Sequence, residues 1–216
     1  MTALLGLAQL QQLLQSVHGV QAAPVSDFLV DSRGARGANP HEALLISEHG
    51  EELQVGLFLD ETVLAQLSRA ATDPWTHERL SGFCAAAEGV SHFLYLVHRA
   101  RQGGQVSQLE LEVQAELDKY LTVLLQLWAT GRRAASPALR HRLFELWRPR
   151  PGLAVSERDR YRLASALAAA CARALEARYV VAGRLDALLR EVRKLYRMSG
   201  GEKFSALAGG AVAWAA

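Results

Sequence analysis

The chain has 216 residues, of which 50% are hydrophobic and 21% are charged. This composition is typical of a globular protein with a sizeable core, and it excludes disorder of the whole chain. The net charge of +2 hides two halves of opposite sign, because residues 1–131 carry 7 Lys and Arg against 15 Asp and Glu, whereas residues 132–216 carry 17 against 7. Either the two halves neutralise each other within the fold, or the basic half faces an acidic partner.

Cysteine usage and the two termini bear on the compartment. Cys84 and Cys171 lie in apolar helical segments without a Cys-x-x-Cys spacing, which predicts two buried thiols rather than a disulfide or a zinc site. The N-terminal segment lacks the positive residues of a signal peptide. The uncharged tail at residues 204–216 is shorter than the ~20 residues that a membrane-spanning helix needs. We therefore expect a cytoplasmic protein with no membrane span.

The first 60 residues combine a helix with a small sheet. Apolar residues recurring at intervals of three and four predict an amphipathic helix over residues 3–17, ending near Gly19. Residues 24–30 could form a strand, and the Gly- and Pro-containing segment 31–40 is typical of a loop. Alternating apolar residues predict a β-hairpin over residues 42–60. The result would be a sheet of two or three antiparallel strands, which must pack on helices to be stable.

The rest of the chain follows a helical period. Helices are predicted over residues 61–71, 76–102, 107–130, 137–147 and 156–196, the last of them either long or bent near Gly183. The break at Gly103 and Gly104 predicts that the two helices on either side of it pair as an antiparallel hairpin. The expected core of this hairpin is Phe83, Ala87, Leu94, Val113, Leu117 and Leu124, with Lys119 on the outer face.

These elements predict a mainly α fold, a helical bundle with a small N-terminal antiparallel β-hairpin or three-stranded sheet. We expect a single mainly helical domain over residues 1–216, because Arg148–Gly152 is too short for a flexible interdomain linker. Its parts would be an α+β N-terminal part at 1–60, a helical core at 61–198 and an apolar C-terminal tail at 199–216.

One polar cluster on the predicted helical hairpin carries metal-ligand chemistry. Glu88 and His92 are four residues apart and share a helix face, as do Glu112 and Glu116 on the returning helix. Antiparallel pairing about the glycine break would place His92 across from Glu116. Carboxylates with an imidazole are the ligand types of metal sites in helical bundles, so these four residues are the metal candidates.

Two structural interpretations compete with a metal site at this cluster. Carboxylate-bridged bundles present Glu-x-x-His on two helices, whereas here a single Glu-x-x-x-His occurs. The same side chains could instead be buried polar residues that bond to one another or to the backbone. Alternatively, arginines such as Arg162, Arg173 or Arg178 could reach the carboxylates, which would explain the charge asymmetry as an internal match.

The basic half supplies a second candidate surface. One group falls within nineteen residues, beside Trp128 and Trp147, and comprises Arg132, Arg133, Arg140, Arg142, Arg148 and Arg150. A further stripe on the final predicted helix comprises Arg190, Arg193, Lys194 and Arg197. Arginines near aromatic rings suit phosphate contact and base stacking, but no nucleic-acid-binding motif accompanies them. A solvated or internally paired face, an acidic protein partner and a nucleic acid all remain open.

No catalytic signature marks the chain: it has no Gly-x-Ser-x-Gly elbow and no His-Glu-x-x-His. We therefore expect a non-enzymatic cytosolic protein, without a cofactor, that acts through protein–protein interaction or oligomerisation. One alternative is a metal-binding helical-bundle protein or enzyme that uses the Glu/His cluster and a transition metal. The other is a nucleic-acid-associated protein that uses its Arg-rich C-terminal half.

Overall fold

The structure, a computed structural model, describes residues 2–31, 41–49, 52–70, 73–146 and 152–213. Over these residues it is mainly helical with one small antiparallel hairpin, which confirms the predicted fold class. The chain divides into two compact units, one made of Met1–Ser16 and Val20–Gly104, the other of Val17–Gly19 and Gln105–Ala216. Compactness does not measure independent folding, so the single-domain organisation remains a prediction.

The first unit contains three helices and the hairpin among its described residues. They are α1 (Thr2–His18, whose last two residues group with the second unit), β1 (Glu42–His49), β2 (Glu52–Leu59), α2 (Glu61–Gln66) and α3 (His77–Ala100). The helix starts follow from side-chain caps, since Asp60 accepts a hydrogen bond from the Thr62 amide and Thr76 from the Arg79 amide. α1 and α3 end within two residues of the predicted positions.

The predicted hairpin is confirmed, with a register that runs from Glu42 opposite Leu59 to His49 opposite Glu52. The predicted turn at Gly50 lies outside the described residues. The hairpin packs on α3, where a Cβ added to Gly89 would lie 2.9 Å from Leu57 Cδ1. The missing side chain at Gly89 thus lets the sheet approach the helix backbone closely.

The predicted strand at residues 24–30 is wrong. Val25–Phe28 forms a 3-10 helix, and only Leu29 makes an isolated parallel bridge, to Leu57. The cause is Gln11 on α1, whose side chain accepts a hydrogen bond from the Val25 amide and donates one to the Ala23 carbonyl, both at 2.8 Å. These bonds hold the segment in a tight turn. Of the predicted loop that follows, residues 32–40 lie outside the described residues.

The second unit contains five helices among its described residues. They are α4 (Gln108–Ala129), α5 (Ser136–Arg140), α6 (Val155–Leu175), α7 (Leu185–Arg197) and α8 (Gly200–Ala213). Short π-helical segments follow α5 at His141–Glu145 and α6 at Glu176–Val180. The long or bent helix predicted here is instead broken near Gly183, which has φ +66°. Its two parts are the separate helices α6 and α7. The expected C-terminal tail forms α8, in which Lys203 and Leu207 are buried, and residues 214–216 lie outside the described residues.

The six predicted core residues of the α3 and α4 helices are all buried. Lys119, predicted on the outer face, is also buried, and its ammonium donates to Glu116 at 2.8 Å. The reason is that α4 has no outer face, because every residue from 112 to 124 is buried. Pairing of α3 with α4 remains a prediction, since the two helices belong to different units.

Within the described residues, one helix, α3, is long and apolar enough to cross a membrane by length and composition, and 72% of its apolar window is buried within the structure. A buried core helix meets the same criteria, so this observation bears only weakly on the expected lack of a membrane span. That expectation remains a prediction.

Candidate functional site

The four metal candidates are divided between the two units, and the metal site remains a prediction. Glu88 and His92 lie on α3 in the first unit, the former half-buried and the latter buried, whereas Glu112 and Glu116 lie buried on α4 in the second. Within the second unit, Glu116 accepts the hydrogen bond from Lys119. The charges of the α4 carboxylates are therefore compensated at least in part by basic side chains.

An arginine does lie near one of these carboxylates, as one of the alternatives from the sequence proposed. It is Arg160, which was not among the arginines named there. Arg160 Nε on α6 lies 3.8 Å from Glu112 Oε1. Arg162 instead lies near Asp159 on its own helix, at 3.7 Å, and Arg173 and Arg178 are exposed. Arg160 is favoured because it lies on a half-buried side of α6, whereas Arg162 faces solvent.

The second unit contains a buried polar network that the sequence pattern did not predict. The side-chain amide of Gln114 on α4 accepts a hydrogen bond from Lys203 Nζ on α8 and donates one to Asp118 Oδ1, both at 3.0 Å. Lys203 is 0% exposed and Asp118 1%. An isolated buried charge would cost several kcal/mol, so opposite charges linked through an amide make this burial tolerable. The signal for it in the sequence was Lys203, which directly precedes the uncharged residues 204–216.

The network continues to the C-terminal end of α1. His18, fully buried, is hydrogen-bonded to Asp118, with Nε2 to Oδ1 at 2.8 Å, and its ring stacks on Tyr196 of α7 at 3.9 Å between centroids. Among the described residues, His18 Nδ1 has no hydrogen-bond partner. The carboxylate thus fixes the ring orientation, and it favours the tautomer with hydrogen on Nε2.

The second predicted stripe occupies one side of α7. The other side is buried and carries Leu188, Val192, Leu195 and Tyr196. We call Arg190, Arg193, Lys194 and Arg197 the basic face of α7. Three of them are exposed and Arg193 is half-buried. The helix therefore presents its apolar side to the core and its basic side to solvent.

Two members of the basic face bind the end of α1. Arg193 Nε donates to the Val17 carbonyl at 3.0 Å, and Arg197 Nη2 donates to the His18 carbonyl at 3.4 Å. The last carbonyls of a helix lack intrahelical partners and carry its negative dipole end, so cations there are favourable. Gly19, with φ +65°, then turns the chain in the left-handed conformation that a helix C-terminus favours.

The first predicted group of arginines is less continuous. Arg140 is bound inside the fold, with Nε 3.1 Å from Glu176 and Nη1 3.2 Å from Glu145. Arg133 lies over the Trp128 ring at 5.7 Å. Arg132 is exposed and Arg142 is half-buried. Arg148, Arg150 and Trp147 lie outside the described residues.

Neither of the two cysteines forms a disulfide. Cys171 is buried as predicted, whereas Cys84 is only half-buried. Burial raises the pKa of the Cys171 thiol to about 12, because its thiolate would lose hydration. Burial likewise raises the pKa of the Tyr120 phenol. Neither group is poised as a nucleophile near neutral pH.

Comparison of the chain with protein-family models, with curated proteins and with solved structures found no match.

Proposed function

We propose that this protein acts without catalysis, as a binding protein whose basic face of α7 holds an acidic segment of a protein partner. The observation that carries the proposal is the spacing of Arg190, Lys194 and Arg197, which are four and three residues apart and all exposed. At 1.5 Å per residue, they span about 10 Å along one side of the helix. A partner helix with glutamates at the same intervals would match all three.

The side chains at the centre of this face are available to a ligand. Within the described part of the chain, no hydrogen bond or ion pair is found for Arg190 or Lys194. Asp186 is exposed at the start of α7, one turn before Arg190 on the same side of the helix. Even so, no ion pair joins these two described residues. Binding an acidic segment there would not require breaking an internal ion pair, and a basic row of this kind steers an acidic partner during encounter.

Two features favour a protein partner over a nucleic acid. The aromatic residue of α7, Tyr196, is buried against His18, so it cannot stack on a base. A protein that neutralises about 6–10 phosphates needs a comparable number of cations, whereas the exposed part of this face offers three. Arg140, one member of the first arginine group, is bound to two glutamates.

Fluorescence anisotropy would test the proposal with three labelled probes: an alanine-based helix carrying glutamates at intervals of three and four, its glutamine counterpart, and a single-stranded DNA. We expect the glutamate helix to bind at low salt and more weakly at physiological salt. The double variant Arg190→Gln/Lys194→Gln should weaken binding about tenfold, since each exposed charge pair contributes ~0.2–1 kcal/mol.

The matched control is Arg162→Gln/Arg173→Gln, which removes two exposed arginines from α6 and should leave the affinity unchanged. Equal binding by the wild type and the Arg190→Gln/Lys194→Gln protein would overturn the proposal. So would the absence of any binding by the glutamate helix at low salt. Tight binding of the DNA alone would assign the face to nucleic acid instead.

A further inference from the structure

We propose that the end of α1 restrains the basic face of α7: the carbonyls of Val17 and His18 hold Arg193 and Arg197, and an acidic ligand grips Arg197 through two N–H groups only after this side chain leaves the His18 carbonyl. This inference rests on the proposed function, because it concerns the same face. In the closed arrangement seen in the structure, Arg190 and Lys194 would make the first contacts. Arg197 would be added when the α1 end releases it.

The hydrogen bonds of Arg197 support this restraint. Its Nη2 donates to the His18 carbonyl at 3.4 Å, and its Nη1 donates to the Arg193 carbonyl at 3.1 Å. A guanidinium grips a carboxylate best through two parallel N–H groups. Each terminal nitrogen of Arg197 already donates one N–H to a backbone oxygen, so a carboxylate must reorient the guanidinium to grip it through two parallel N–H groups.

The two arginines are held unequally. The bond from Arg193 to Val17 is 3.0 Å long and Arg193 is half-buried, whereas the bond from Arg197 to His18 is 3.4 Å long and Arg197 is exposed. Hydrogen bonds weaken as they lengthen beyond their usual distance. Arg197 is therefore the first of the two to be released, and Arg193 keeps the end of α1 in place.

The side chain that positions these carbonyls is that of His18. Its ring is bonded to Asp118 and stacked on Tyr196, which fixes the backbone of the last turn of α1 against α7. Replacing His18 removes both attachments but leaves the backbone carbonyls in the chain. The substitution His18→Ala thus loosens the restraint without altering any residue of the basic face.

The test measures binding of the labelled glutamate helix to His18→Ala. We expect the affinity to rise at least about threefold over the wild type, since ligand binding no longer competes with a fixed α1 end. Adding Arg197→Gln should lower the affinity more in the His18→Ala protein than in the wild type. Circular dichroism would verify folding. If His18→Ala does not fold, Gly19→Ala serves instead, because alanine disfavours the φ of +65° there.

An unchanged or lower affinity in a folded His18→Ala or Gly19→Ala protein, with binding still lost on Arg190→Gln/Lys194→Gln, would overturn the restraint and leave the proposed function standing. Equal effects of Arg197→Gln in the two backgrounds would also overturn it. Failure of the glutamate helix to bind the wild type and both loosened variants would overturn the proposed function together with this inference.

Discussion

The ammonium of Lys203 and the carboxylate of Asp118, both buried in the second unit, are joined through the side-chain amide of Gln114. The amide is suited to this place because its oxygen accepts from the cation while its nitrogen donates to the anion. A hydrocarbon side chain of similar size could do neither.

Replacing Gln114 with leucine should therefore destabilise the protein strongly. It would remove one hydrogen bond from each of two buried charged groups, and each such bond contributes about 1.5–3 kcal/mol. Urea denaturation followed by circular dichroism measures the free energy of unfolding. Gln126→Leu, a half-buried position on the same helix, is the matched control and should change it by less than about 1 kcal/mol. Similar midpoints for the two variants would contradict the network.

A pair of lysines tests the burial of α4. Lys119→Ala should cost about 1–3 kcal/mol, because it leaves the buried Glu116 carboxylate without the ammonium that donates to it. Lys194→Ala, exposed on α7, should change stability by no more than about 0.5 kcal/mol. If thermal and urea denaturation found both substitutions neutral, Lys119 would lie at the surface, as its sequence position had suggested.

A pair of leucines tests the core. Leu117 is 4% exposed on α4, whereas Leu163 is 49% exposed on α6. Leu117→Ala should cost about 2–5 kcal/mol, because it removes buried methyl groups and leaves a cavity. Leu163→Ala should have little effect. The comparison uses the same chemical change at both sites, so a larger loss at Leu163 would show that the buried face has been assigned wrongly.

The thiol of Cys171 should make the protein less stable in alkali. Its pKa is raised from 9.0 to about 12 in the folded protein, so the unfolded chain releases this proton first. The contribution of the protonated Cys171 thiol to the free energy of unfolding is fully present below pH 9 and is lost as the pH rises towards 12. The free energy of unfolding should therefore fall less steeply over this range in Cys171→Ala than in the wild type. Identical slopes would contradict the burial of this thiol.

Reactivity gives an independent check on the two thiols. At neutral pH, a maleimide should label the half-buried Cys84 and leave the buried Cys171 unlabelled until the protein is denatured. Peptide mapping of the labelled protein distinguishes the two sites.

Local patterns predicted the helices and the hairpin well, because periodicity and capping act over a few residues. The helix predicted over residues 107–130 was found at Gln108–Ala129, where Ser107 and Glu110 form a capping box. The strand prediction for residues 24–30 was wrong because the conformation of this segment is set by Gln11 on another element. The strand propensity of a segment does not include a hydrogen bond from a distant element.

The candidate site was predicted only in part, for the same physical reason. The period of 3.6 places Arg190, Lys194 and Arg197 on one side of a helix from sequence alone. That Arg193 and Arg197 bind the end of α1 depends on residues separated by 176 and 179 positions. The partner of His18 is likewise 100 positions away, and no local rule specifies it.

The buried network also constrains the order of folding. The ribosome makes His18 before Lys203, yet the two bind side chains of the same α4 helix, Asp118 and Gln114 respectively. Until α8 has been made, Gln114 lacks the ammonium that donates to its side-chain oxygen in the native protein. Contacts this distant in sequence form slowly because the intervening chain must first be closed into a loop. We therefore expect the buried network of the second unit to be completed only after α8 has been made.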